Sequence, residues 1–103
     1  MALELRPNCE LCDKDLRADA SDARICTYEC TFCATCVEDV LHNVCPNCGG
    51  GFEARPIRPA RAWREGAGLV NDPASARRRH TPYTREDIEA FVAKLRDVEP
   101  GGR

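Results

Sequence analysis

Eight cysteines are the residues of this 103-residue chain best suited to carry chemistry, and all lie between positions 9 and 48. Two thiolates separated by two residues (C-x-x-C) can both reach one tetrahedral metal ion, at about 2.3 Å each. Four such pairs predict two zinc ions, and a zinc bound by four thiolates keeps no position for a substrate, so both sites should be structural. The pairs are Cys9/Cys12, Cys33/Cys36, Cys45/Cys48 and a looser fourth, Cys26/Cys30.

Disulfides, iron–sulfur clusters and redox-active thiols are the alternatives to zinc. Residues 1–7 contain no apolar stretch of signal-peptide length, and the chain has no run long enough to cross a membrane. These features predict a cytoplasmic protein, and clustered cysteines in a reducing compartment more often hold metal than form disulfides. Ligand type and spacing favour zinc over an iron–sulfur cluster. No thioredoxin-like βαβ pattern accompanies the C-x-x-C pairs, which argues against redox thiols.

The four cysteine pairs can share two ions in sequential or in interleaved order. A hairpin through residues 24–28, followed by a C-x-x-C pair that opens a short helix with Val37, Val40 and Leu41 on one face, is a treble-clef-like order and favours interleaving. Sequential pairing stays open, and His42 is an alternative ligand. The interleaved sets are Cys9, Cys12, Cys33 and Cys36 for the first zinc, and Cys26, Cys30, Cys45 and Cys48 for the second.

Composition divides the chain into three segments and a tail. Residues 1–52 form the cysteine-rich head, which we expect to be a small zinc-stabilised α+β domain. Residues 53–82 are rich in Arg, Pro, Ala and Gly without apolar periodicity, as in a linker or an extended arm. Residues 83–98 predict an amphipathic helix, and residues 99–103 are a tail. Because a core this small is marginal without a staple, metal binding should supply much of the folding free energy.

The predicted helix has clear start signals and one apolar face. Thr84 is a good N-cap, with Asp87 three residues on in a capping-box position. Such a short helix is marginal alone in water, so its apolar face must pack on something. It packs either on the head of the same chain, or on a partner, for instance in a homodimer. The residues of that face are Ile88, Phe91, Val92 and Leu95.

Arginines recur at every third position of the arm, with Pro56 and Pro59 between them. Polyproline II has three residues per turn, so that conformation would align the guanidinium groups along one edge, beside Trp63. The arm is then either a solvated linker or a basic strip that binds an acidic surface, and the nearest acidic surface is the head. The arginines are Arg55, Arg58, Arg61 and Arg64.

Charge is distributed unevenly along a chain of net charge −2. Residues 1–50 carry four basic and nine acidic side chains, whereas residues 51–103 carry eleven basic and eight acidic ones. Each zinc bound by four thiolates would add about −2 to the head. A nucleic-acid-binding head normally shows a basic face, so nucleic acid is disfavoured as a partner, and the short basic run at residues 77–80 should be solvated.

Residues 9–48 resemble a RING-type cross-brace domain in an all-cysteine version. Cys9-Glu10-Leu11-Cys12 resembles the RING opening, and the segment from Cys30 to Val37 resembles its centre, with Cys30 where RING domains usually have histidine. Cys45-Pro46-Asn47-Cys48 resembles the closing pair with its proline. The head also resembles a family of short bacterial proteins of unknown function, a resemblance that implies no activity.

The RING resemblance implies two interleaved zinc sites and a protein-docking groove to which Leu11 and Pro46 would contribute. Ligase RINGs often have a basic residue after the last ligand, where this chain has Gly49. We therefore expect a non-enzymatic interaction or adaptor module that binds a protein partner. The alternatives are a ligase-like component of a protein-conjugation system and nucleic-acid binding through the arm. Beyond Leu11 and Pro46, the expected partner-binding residues are the four arm arginines and the four residues of the helix face.

Overall fold

The computed structural model describes residues 2–103, which form a small α+β protein. Its sheet has three short antiparallel strands in the order β2-β1-β3: β1 is Ala23–Ile25, β2 is Thr31–Cys33 and β3 is Glu53–Ala54. In the hairpin, Arg24 lies opposite Phe32, and on the other edge it lies opposite Ala54. The hairpin predicted around residues 24–28 is therefore confirmed, and β3 adds the first two residues of the predicted arm to the sheet.

A helical segment follows the sheet directly and supplies one side of the core. Helix α1 spans Ala34–Cys36 and continues as a π-helical turn over Val37–Leu41. His42 and Asn43 then adopt left-handed backbone conformations, with φ of 47° and 62°, and reverse the chain. The Asn43 side chain accepts a hydrogen bond from the Phe52 N–H, which fixes the return of the chain to the sheet.

The core lies between the hairpin and this helical segment. Phe32 is fully buried and meets Phe52 edge to face, with ring centroids 5.5 Å apart and planes at 73°. This arrangement is one of the two that aromatic quadrupoles favour. Leu16, Leu41 and Val44 are also buried and complete the cluster together with the cysteines.

Helix α2 spans Arg85–Leu95, slightly shorter than the predicted 83–98. The predicted capping box is confirmed: the Asp87 N–H donates to the Thr84 hydroxyl at 3.1 Å, and the Thr84 N–H donates to the Asp87 carboxylate at 3.3 Å. The apolar face packs on the core of the same chain. Ile88 and Val92 are buried there, and Phe91 and Leu95 are partly buried against it.

The arm between β3 and α2 is bound to the head at several points. Arg55 is buried, and its guanidinium donates to the carbonyl oxygens of Arg6 and Arg17, each at 2.8 Å. Arg58 donates to the carbonyls of Leu3 and Asp72. These two arginines do dock on the head, but on backbone carbonyls and not on carboxylates. Within residues 2–103, no helix combines the length and apolar character needed to cross a membrane.

Packing of α2 on the head predicts a large loss of stability when Ile88 is truncated. Ile88→Ala removes a side chain that is 1% exposed and should lower the free energy of unfolding by about 2–5 kcal/mol. Glu89→Ala, the exposed neighbour on the same helix, should change it by less than about 0.5 kcal/mol. Urea unfolding of the metal-loaded protein, followed by circular dichroism, measures both. Equal effects would mean that α2 does not pack on the head in solution.

Candidate metal centres

Four cysteine sulfurs from two distant parts of the chain form the first group. Cys9 and Cys12 lie in a turn next to the bridge between Asn8 and Asp15, while Cys33 ends β2 and Cys36 ends α1. All four sulfurs lie within 4.8 Å of one another. The Cys12 and Cys33 sulfurs are 3.8 Å apart. Two thiolates bound at 2.3 Å to one tetrahedral ion would be about 3.8 Å apart, so the spacing fits such an ion.

The second group joins the hairpin turn to a later segment of the chain. Cys26 follows β1, and Cys45 and Cys48 follow the π-helical turn; the three sulfurs lie within 4.8 Å of one another. Cys30 lies beside this group: the Cys26 N–H donates to the Cys30 carbonyl oxygen at 3.2 Å, and a hydrogen bond with the Cys45 side chain lowers the pKa of the Cys30 thiol. Cys30 is therefore available as a fourth ligand.

The two groups alternate along the chain. Residues 9 and 12 join 33 and 36, whereas residue 26 joins 45 and 48. His42 belongs to neither group; it lines a separate surface cavity with Asp39 and Arg96. None of the eight cysteines forms a disulfide.

Backbone N–H groups point at the sulfurs. The Tyr28 N–H donates to the Cys26 sulfur and the Gly50 N–H to the Cys48 sulfur, each at 3.4 Å. In both cases the donor lies two residues after the cysteine. Hydrogen bonds to the charged form of a group favour it, so these turns stabilise thiolates, the form in which cysteine binds metal.

Repulsion between neighbouring thiolates makes each cysteine group favourable for a cation. Burial raises the pKa of the Cys26 thiol to about 11 and also raises the pKa of Cys36. Contact with Cys30, followed by burial, raises the pKa of Cys45, while the same contact lowers the pKa of Cys30 to about 5. Clustered, desolvated thiolates repel one another, so all four ionise together only when a positive ion lies between them.

Basic residues of the arm partly neutralise the acidic loop around the first group. Arg78 donates to the carboxylates of Asp13 and Asp15, at 2.8 and 2.6 Å, and Arg79 lies 3.3 Å from the Glu4 carboxylate. Two members of the basic run 77–80 therefore bind the head. These contacts join residues more than 60 positions apart, and nothing in the local sequence pattern indicates them.

Glu10 is a buried residue of this region that the sequence pattern did not single out. It is 4% exposed, and its carboxylate accepts hydrogen bonds from Arg6 at 2.9 Å, from the Thr31 N–H at 2.6 Å and from Asn47 at 3.2 Å. Its position between Cys9 and Cys12 was the available signal, since a residue inside a C-x-x-C turn is close to the metal ligands.

The residues expected to bind a partner differ widely in accessibility. Arg61 and Arg64 are exposed. Leu11, Arg58, Phe91 and Leu95 are half-buried. The others are buried within the chain itself: Pro46, Arg55, Ile88 and Val92. Pro46 lines a cavity of about 540 Å³ together with Tyr83 and Phe91.

The fold and the two sulfur groups define a small cysteine-rich α+β protein with two clusters able to hold metal ions. A family described as "Protein of unknown function (DUF1272)" matches residues 2–58, more than half of the chain, and the chain belongs to that family. An uncharacterized protein of Rhizobium meliloti (strain 1021) is 64% identical over 58 residues, covering 56% of this chain and 69% of that relative. No solved structure matches the chain significantly. The family match contains all eight cysteines and ends before Trp63 and α2.

Gly49 provides a test of how the second cysteine group and α2 fit together. Its φ is +82°, and a Cβ at this position would lie 3.3 Å from Leu95 Cδ1 and 3.5 Å from Phe91 Cζ. Gly66 has a similar φ of +79° but no atom within 4 Å of the same position, so it is a matched control. Gly66→Ala should lower the free energy of unfolding by about 1–2 kcal/mol through backbone strain alone. Gly49→Ala should lower it by about 1–3 kcal/mol more, because the added methyl group overpacks the contact with α2. Urea unfolding measures both. Equal costs would contradict the close packing of α2 over the second group.

Proposed function

We propose that this protein is a zinc-stabilised, non-enzymatic interaction module, and that the two ions fold its head. The observation that carries the proposal is the gathering of seven of the eight cysteine sulfurs into two separate groups, the first with two sulfurs 3.8 Å apart, the spacing around a tetrahedral ion. Four thiolates satisfy a zinc ion completely, which supports a structural role and leaves no open position for catalysis. Thiolate ligands and tetrahedral geometry favour zinc among the common divalent ions.

The proposed head is of the RING-like cross-brace type. The first ion would bind Cys9, Cys12, Cys33 and Cys36, and the second would bind Cys26, Cys30, Cys45 and Cys48. The alternation of the two groups along the chain supports this arrangement, because the first ion then links the segments before and after the hairpin, and the second links the hairpin turn to the segment after the π-helical turn. A ligase-like role is less well supported, because Gly49 lies under Phe91 and Leu95 and Pro46 is buried, so α2 covers the surface next to the last ligand.

A nucleic-acid role is also less well supported. Arg78 and Arg79 are paired with carboxylates of the head, and Arg55 and Arg58 donate to carbonyl oxygens. These bonds use part of the five N–H donors of each guanidinium and hold the four side chains against the protein's own surface. The head itself is acidic, whereas phosphate binding needs a basic face.

The surface best suited to a protein partner is a loop formed by residues 59–72, which we call the Trp63 loop. The Leu69 N–H donates to the Pro59 carbonyl at 2.8 Å and closes it. Gly68 has φ +85°, and a Cβ there would lie 2.4 Å from the Arg61 carbonyl oxygen, so the close approach requires glycine. The closed loop presents Trp63, 72% exposed, between Arg61 and Arg64. Trp and Arg are enriched among residues that dominate interface energies.

Metal content tests the first part of the proposal. Native mass spectrometry should find two zinc ions per chain, and cobalt substitution should give the absorption of tetrahedral thiolate-bound cobalt. Cys9→Ser and Cys45→Ser should each lose at least one ion, because each removes a ligand from a different group. Thr35→Ser is the control, because residue 35 lies between Cys33 and Cys36 but neither threonine nor serine carries a sulfur ligand. This variant should keep both ions. A single ion in the wild type, or an iron–sulfur absorption band, would contradict the assignment.

Partner binding tests the second part. Affinity chromatography with the zinc-loaded protein should retain a protein partner, and Trp63→Ala should reduce its retention at least tenfold, as expected for the loss of an interface hot spot. Val70→Ala is the control, since Val70 is 69% exposed in the same loop. Equal retention by the wild type and Trp63→Ala, or equal loss with Val70→Ala, would rule out Trp63 as the docking residue.

A further inference from the structure

We propose that Glu10 couples the two cysteine groups, so that binding of one metal ion strengthens binding of the other. This inference rests on the proposed function, because it requires both groups to bind metal. Glu10 is a positioning residue here and not a ligand, since its carboxylate oxygens are occupied by hydrogen-bond donors.

Glu10 belongs to the first group by sequence and contacts the second through its side chain. It lies inside the Cys9–Cys12 turn, so an ion in the first group fixes its backbone. One carboxylate oxygen accepts from the Asn47 amide at 3.2 Å, and Asn47 lies inside the Cys45–Cys48 turn of the second group. Glu10 therefore bridges the two C-x-x-C turns directly.

A third contact joins Glu10 to the hairpin that both groups share. Its other carboxylate oxygen accepts from the Thr31 N–H at 2.6 Å, and its own N–H donates to the Thr31 carbonyl at 2.9 Å. Thr31 lies between Cys30, beside the second group, and Cys33 of the first. The orientation of this short segment decides whether both cysteines face their groups together.

The arm closes the same network from outside. The Thr81 N–H donates to the Glu10 carbonyl at 3.0 Å, and the Thr81 hydroxyl donates to the Asn47 side chain at 2.8 Å. Because an Asn amide has both donors and acceptors, Asn47 accepts from Thr81 and donates to Glu10. The two turns are thus held to each other and to the arm by one continuous set of hydrogen bonds.

Electrostatics alone would not place a carboxylate here. Each filled group carries about −2, so a buried carboxylate between them is repelled by both. Arg6, at 2.9 Å, is the ion-pair partner of Glu10, and the Thr31 N–H and Asn47 amide complete its hydrogen bonding. Glu10 lies inside the first turn and its Asn47 donor inside the second, so the full set of donors is in place only when both turns are ordered. Loss of either ion would leave a buried charge with missing donors, which is costly, and this is the physical origin of the coupling.

Zinc titration of the metal-free protein, read by native mass spectrometry, tests this coupling. With one equivalent of zinc, the wild type should contain mainly metal-free and two-zinc protein and little of the one-zinc form. A coupling near the upper end of the usual range, about 150-fold in affinity, would give this distribution. Glu10→Gln keeps the shape but replaces an acceptor oxygen by a donor facing the Thr31 N–H or Asn47, so the one-zinc form should rise severalfold.

Asn47→Ala is the second variant, because it breaks the bridge while leaving the buried charge and its Arg6 partner in place. It should also raise the one-zinc form, and it decides the question if Glu10→Gln does not fold. Glu38→Gln is the matched control, because Glu38 is exposed and lies two residues after Cys36. The substitution removes one negative charge near the first group and breaks no contact of Glu10. It should keep the wild-type distribution.

The outcomes separate this inference from the proposed function. Failure of the wild type to bind two zinc ions would overturn the proposed function and this inference with it. A different result would overturn only the coupling through Glu10. In that case the wild type binds two ions, but Asn47→Ala and any folded Glu10→Gln contain the same proportions of metal-free, one-zinc and two-zinc protein as the wild type. The hairpin alone would then link the sites. An equal rise in Glu38→Gln would likewise overturn it, because loss of charge would then be the cause.

Discussion

Mutual repulsion between clustered thiolates is the constraint on which this structure depends. Seven of the eight cysteines converge into two groups, with Cys30 beside the second, and burial raises the pKa of Cys26 and Cys36. Such groups are stable as thiolates only around cations, and bound ions would add stability to the core, which is small in a chain of this size. The short strands and the three-residue α1 would have little stability without that centre.

The rest of the chain is arranged around these groups in layers. Phe32, Phe52 and Leu41 fill the space beside the hairpin, and α2 adds Ile88 and Val92 to the same core. The arm then crosses the head, with Arg55 buried and Arg78 paired to Asp13 and Asp15. The arm is thus part of the folded unit, and its Trp63 loop exposes the large side chains of Trp63 and Val70.

Patterns that repeat locally could be read from the sequence, and contacts between distant residues could not. The C-x-x-C spacing indicated clustered ligands, and Thr84 with Asp87 indicated the start of α2, because both depend on residues within one turn. The roles of Glu10 and Arg55 depend on carbonyls and amides brought near by folding, such as Arg6 and Asn47, and no periodicity encodes those. The polyproline prediction for the arm treated four arginines alike, whereas the structure buries Arg55, half-buries Arg58 and exposes the other two.

Amide hydrogen exchange with and without metal tests whether bound ions hold the head together, because it reports on the head residue by residue. In the zinc-loaded protein, the amides of β1 and β2 should be strongly protected, since they are bonded within the sheet and lie beside both cysteine groups. After removal of the metal with a chelator, this protection should be lost across residues 9–48, and it should return when two equivalents of zinc are added. Unchanged protection of the hairpin in the metal-free protein would show that the head folds without its ions, and would contradict the proposal that metal binding folds it.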